Sequence, residues 1–151
     1  MVRLSKLADY AVVVLLRLGT GATVQTASGL AVVTGIPEPT VAKVLKLLAG
    51  GRLAVSSRGA RGGYRLARPL DQVSVAEVIT VIDGPIALTA CVEGATTSCE
   101  VSRICAVRGR WAVVNDAVRR ALEAISLAEL HRLPAPAAIP VAAEAARAAA
   151  D

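Results

Sequence analysis

The chain of 151 residues has no phenylalanine, two tyrosines, one tryptophan and one histidine. Its apolar content is mostly Ala, Val and Leu, which favours helices packed through small and branched side chains. A membrane helix needs ~18 uninterrupted apolar residues, whereas the longest candidate here, Ala11 to Leu16, is cut by Arg17. No membrane partner is expected. A signal-peptide pattern is also lacking, because Asp9 and Tyr10 fall where a continuous apolar region belongs, so a cytoplasmic location is expected. Catalytic constellations are equally scarce: there is no Gly-rich phosphate loop, no paired-carboxylate site and no histidine near a cysteine. A thiol-dependent redox enzyme is therefore only the alternative from a different class, and the expectation is a protein that is not an enzyme.

The charge that is present is unevenly placed. Residues 1–73 hold ten Lys/Arg against three Asp/Glu, a balance of +7, and residues 74–151 hold seven against nine, a balance of −2, which together make the +5 of the whole chain. A polyanion such as double-stranded DNA gains counterion-release affinity from the first half alone.

Within that basic half, the stretch from Ile36 to Pro69 carries the clearest pattern. Pro39 suits a first helical turn, and Val41, Val44, Leu45 and Leu48 follow helical spacing, so one face packs on a core while Thr40, Lys43 and Lys46 point away. Gly50 is expected to supply a left-handed stop. Leu53 and Val55, then Tyr64 and Leu66, alternate as two short strands around Arg58-Gly59-Ala60-Arg61-Gly62-Gly63. Glycines there let the backbone approach a phosphate, and arginines bring charge suited to a narrow groove. An ordinary surface hairpin with solvated arginines is the plainer reading, and the adjoining basic helix weighs against it.

Upstream, Leu7, Ala8, Ala11, Val14, Leu15 and Leu18 make one face of a first helix capped by Ser5 and stopped at Gly19. Thr26 caps a short second helix ended by Gly35, and the turn Gly35-Ile36-Pro37-Glu38 completes a helix-turn-helix. Downstream, Ser74-Val75-Ala76-Glu77 is a capping box for a helix ending at Gly84-Pro85. The fold class expected is mainly α with a small β-hairpin wing, a winged helix-turn-helix plus a long dimerisation helix. That helix spans about Ala106 to Ile125, with Trp111, Val114, Val118, Ala121, Leu122 and Ile125 on one face. Lying after a finished core, it is expected to pack on a second copy in a homodimer. A second capping box starts at Ser126, and from Pro134 the composition becomes an Ala/Pro-rich tail expected to be disordered. The expected divisions are 1–85 for DNA binding, 86–105 for a cysteine loop, 106–133 for dimerisation and 134–151 for the tail.

All three cysteines, Cys91, Cys99 and Cys105, fall in that loop. An odd count in a reducing compartment argues against structural disulfides, and soft thiolates select zinc or iron–sulfur centres. Neither a CxxC knuckle nor a ferredoxin run is present, so buried inert cysteines remain an open reading.

Val2-Arg3-Leu4-Ser5-Lys6 with Asp9-Tyr10-Ala11, the Ile36-Pro37-Glu38-Pro39 turn, the Arg58-to-Tyr64 wing and the cysteine trio before a Trp-bearing helix resemble the Rrf2 family of bacterial transcription regulators. The resemblance spans about residues 1–133. It implies a homodimeric winged-helix repressor whose Cys91, Cys99 and Cys105 hold an iron–sulfur cluster, 2Fe-2S or 4Fe-4S, that controls DNA affinity. The Pro-Glu-Pro-Thr-Val-Ala-Lys-Val-Leu run is most similar to regulators of SUF-type iron–sulfur assembly genes, with a nitric-oxide or redox sensor of the NsrR type as the alternative. IscR-like members place a histidine after the last cysteine, where this chain has Ala106, Val107 and Arg108, and His131 lies far downstream. NsrR-like members carry a carboxylate in the first helix, reached from the partner subunit, which makes Asp9 the leading candidate for fourth ligand. Glu93, Glu100 and an exogenous thiol or water are the others. For DNA, Glu38, Thr40 and Lys43 are expected at base edges, Lys46 at phosphate, and Arg58 and Arg61 at phosphate or minor groove.

Overall fold

The computed structural model describes residues 3–21, 24–59, 62–95, 99 and 104–132. Arg61, Glu100 and the tail therefore lie outside the described residues. The described elements are α1 (Lys6–Thr20), α2 (Ala27–Thr34), α3 (Glu38–Gly50), β1 (Ala54–Ser57), β2 (Gly63–Leu66), α4 (Val75–Asp83), α5 (Trp111–Glu123) and α6 (Leu127–Arg132), with a short 3-10 turn at Leu70–Gln72.

Helix ends follow the local chemistry. Ser5, Thr26 and Ser74 each accept a hydrogen bond from a first-turn N–H, and Glu77 closes the capping box at α4 by accepting from the Ser74 N–H. Gly35 ends α2 at φ 70°, a backbone state that favours glycine. The α3 terminus differs from expectation: Gly50 is its last helical residue, and the positive φ of 59° falls on Arg52. Here Gly51 serves close packing, since a Cβ on it would meet the Val81 side chain of α4 at 2.5 Å. α1 likewise runs one residue past Gly19 to Thr20.

The core forms where the apolar faces of α1, α3 and α4 meet. Val14, Leu15, Val41, Val44, Leu45, Leu48 and Val78 have essentially no exposed surface, and each such side chain contributes about 1.5–3 kcal/mol of burial free energy. Leu127 belongs to this core too, so the domain expected to close at residue 85 draws on the first residue of α6. A short antiparallel bridge delivers it there, with the Val75 N–H donating to the Ile125 carbonyl at 3.0 Å and the Leu127 N–H donating to the Val73 carbonyl at 2.9 Å.

The wing is a two-stranded antiparallel hairpin in which Ala54 pairs with Leu66 and Ser56 with Tyr64. Leu53, just before β1, and Ala54 are buried, while Val55, read as alternating with Leu53, is exposed. Gln25 adds a bridge on the far side of Tyr64, through N–H···O bonds of 2.9 and 2.8 Å. Gly63 permits that approach, because a Cβ there would lie 2.5 Å from the Gln25 carbonyl oxygen. Gly62 folds the tip back on Gly59, and Gly59 has φ 110°. Two of the three wing glycines thus serve packing of the hairpin itself.

Candidate nucleic-acid interface and cysteine loop

Packing decides which side chains α3 shows to solvent. With Val41, Val44, Leu45 and Leu48 turned inward, Glu38, Lys43 and Lys46 are exposed and Thr40 is half-buried at the first turn. Arg58 is exposed at the wing. Arg52 and Arg65, which the sequence pattern did not single out, are exposed cations flanking the same hairpin. A signal for them was available in the alternation of the hairpin, since a residue cross-paired to Val55 shares its outward side, and Arg65 is that residue.

The cysteine loop leaves α4 at Gly84, which has φ 90°. It doubles back so that Gly94, at φ 84°, rests against Pro85, where a Cβ would come within 2.9 Å of the proline ring. Cys91, Cys99 and Cys105 are free thiols, each half-buried. The Cys91 Sγ lies 3.3 Å from the Thr89 hydroxyl oxygen. That hydroxyl, and then the Gly109 N–H, hold the Cys91 thiol below its ordinary range by stabilising the thiolate. Among the described residues, no three His, Cys, Asp or Glu side chains are gathered closely enough to hold a metal ion. The donor chemistry of three free thiols suits a soft metal centre. Asp9 is exposed on the first turn of α1, Glu93 is exposed in the loop, and His131 is exposed on α6. Ser5, the cap of α1, donates to the Asp83 carboxylate at 2.7 Å and so sets the helix carrying Asp9 beside the end of α4 from which the loop departs.

α5 begins at Trp111, five residues after the expected start, because Gly109 takes φ 72° and residues 105–110 form successive turns. Its apolar stripe divides. Leu122 packs against the core, whereas Trp111, Val114 and Ile125 are 42%, 44% and 41% exposed. Ile104 and Val107, in the turns before the helix, are exposed as well. The residue that α5 does bury is polar: Asn115 accepts from the Leu88 N–H at 2.9 Å and donates to the Ile86 carbonyl at 3.0 Å. Sequence reasoning passed over it, although it stands one turn from both Trp111 and Arg119, on the flank of the apolar stripe.

A family model described as Rrf2, iron-dependent transcriptional regulator, matches residues 4–132. An HTH-type transcriptional regulator of Mycobacterium tuberculosis is 35% identical, over 85% of this chain and 80% of that protein. The HTH-type transcriptional regulator NsrR of Oceanobacillus iheyensis is 29% identical, over 76% of this chain and 78% of its own. Among solved structures, CymR, the global cysteine regulator of B. subtilis, superposes with a TM-score of 0.66 at 25% identity, covering 86% of this chain and 96% of CymR. The IscR of T. potens has the same fold, with a TM-score of 0.61 at 23% identity, over 90% of this chain and 94% of its own. Among the described residues no helix is long and apolar enough to cross a membrane.

Proposed function

The chain belongs to the Rrf2 family of DNA-binding transcriptional regulators, and from that premise we propose that it is a homodimeric repressor of SUF-type iron–sulfur assembly genes, governed by an iron–sulfur cluster on Cys91, Cys99 and Cys105. The observation that carries this reading is the position of the cysteine loop: three free thiols stand between the basic winged domain and a helix whose apolar side lies open.

In this reading Glu38, Thr40 and Lys43 meet base edges, Lys46 and Arg58 meet phosphate, and Arg61, outside the described residues, joins Arg58 at the wing. The exposed Trp111, Val114 and Ile125 seat a second copy, which removes apolar surface from water and sets two α3 helices at the ~34 Å spacing of successive major grooves. Cys91, Cys99 and Cys105 are the thiolate ligands, and Asp9 of the partner copy supplies the fourth position. Bound there, an iron–sulfur cluster supplies redox chemistry and a lability that grows with solvent exposure. Binding a cluster there would draw on the backbone of the loop, where Gly94 and Gly109, both at positive φ, can absorb a change. The loop then presses differently on α5, and the separation of the two α3 helices follows.

A second reading, a nitric-oxide or redox-sensing repressor, uses the same residues and is favoured by the 29% likeness to NsrR. Anaerobic purification, a visible spectrum and iron and sulfide assays, before and after Cys99→Ala, test the reading. Coloured protein that loses its colour in the variant supports it, and colourless, iron-free protein after anaerobic reconstitution rejects it. Titrating coloured protein with nitric oxide or with an iron chelator, and following release from DNA, separates the two signals.

A further inference from the structure

Asn115 is the buried polar residue among the described residues, at 5% exposure, and both ends of its amide are used on one short piece of backbone. The side-chain oxygen accepts from the Leu88 N–H and the nitrogen donates to the Ile86 carbonyl, at 2.9 and 3.0 Å. This pairing fixes the orientation of the amide and specifies the residue. Ala or Leu makes neither bond, and Asp keeps the acceptor for Leu88 but sets a second oxygen against the Ile86 carbonyl. Removing the side chain would leave a half-buried N–H and a half-buried carbonyl without these partners.

Two further features give the pair of bonds a mechanical meaning. The C-terminal end of α5 is pinned, because Ile125 and Leu127 bridge to Val75 and Val73 and Leu127 is fully buried. A cleft of about 420 Å³ runs along α5 beside α4 and the loop, bordered by Thr80, Ile86, Val92, Ala112, Arg119 and Glu123. α5 borders α4 along this cleft, and the Asn115 amide ties it to the Ile86–Leu88 backbone of the loop. Ile86 and Leu88 lie just upstream of Cys91, whose sulfur lies 3.3 Å from the Thr89 hydroxyl oxygen.

We infer that Asn115 is the positioning residue through which a change at the cysteine loop reaches α5: displacement of the Ile86–Leu88 segment swings the N-terminal half of α5, with Trp111 and Val114 on its outer side, about the pinned end at Ile125. This rests on the reading that the cysteines are the sensing element. It does not depend on which chemistry they sense.

Trp111 is the single tryptophan of the chain, so its fluorescence reads α5 directly. In full-length Cys99→Ala/Cys105→Ala protein, with Cys91 the remaining thiol, N-ethylmaleimide is expected to shift the Trp111 emission. Adding Asn115→Ala is expected to reduce that shift to less than half, and to speed hydrogen exchange at the Leu88 amide about tenfold in the unmodified protein. An equal fluorescence response with and without Asn115, or unchanged exchange at Leu88, overturns the inference. Should Asn115→Ala fail to fold, Asn115→Asp decides in its place, with an intermediate response expected and an undiminished one counting against the role. Because maleimide is the stimulus, a protein that carries no cluster would end the cluster reading and leave this test intact.

Discussion

α3 and α5 are helices of equal length, 13 residues each, and they spend their apolar faces in opposite ways. α3 buries Val41, Val44, Leu45 and Leu48 completely, so its hydrophobic burial is realised within one chain. α5 buries Asn115 and leaves Trp111 and Val114 exposed, as is Ile125 just past its end. A satisfied face makes a domain, and what α3 has left to offer is its polar side. An unsatisfied face invites a partner, and its position then depends on whatever holds it from behind.

Substitutions on the two helices sharpen this contrast. Leu45→Ala should destabilise the fold by about 2–5 kcal/mol, through lost burial and the cavity left behind, measured by urea denaturation. Val114→Glu should leave the fold of the single chain intact while weakening self-association by about 2 kcal/mol or more, seen as monomer in sedimentation. Loss of folding in that variant would mean the α5 face is internal after all. Ser74→Ala, which removes the α4 cap, should cost about 1 kcal/mol without altering association.

The same cap carries a pH signature. Burial alone would raise the Glu77 carboxyl, but the Ser74 N–H and the Arg68 guanidinium beside it hold it below the ordinary glutamate range. Its contribution is therefore present above the unfolded value and lost as pH falls through the lower folded value. Glu77→Gln should narrow the stability gap to wild type on acidification, and a gap that widens would contradict the assignment. The smallest effect is expected from Arg58→Ala, a few-fold weaker DNA binding at every sequence, with the salt slope reduced by about 1 and thermal stability unchanged.

What was legible in the sequence follows the same division. Periodicity and capping chemistry are local, so the Ser5, Thr26 and Ser74 caps, the α3 face and the hairpin could be read directly. Residues whose role depends on distant neighbours were not. Gly50 was expected as the stop, whereas its neighbour Gly51 proves to be room for Val81. Asn115 reads as a polar residue on a helix until the Ile86–Leu88 backbone is set against it, and Leu127 reads as the start of a terminal helix until the bridge at Ile125 carries it into the core. At the cysteines, the residue types were plain, but their arrangement in space could not be derived from intervals along the chain.

The most direct test of the central claim, that the cysteine half governs what the winged half does, is the affinity of the anaerobic protein for a duplex selected by it from a random pool. The duplex is titrated at fixed salt before and after iron chelation. At least about a tenfold change in Kd is expected, abolished by Cys99→Ala. Equal affinities in the two states would contradict the claim and leave a winged-helix DNA binder whose cysteines do not regulate it.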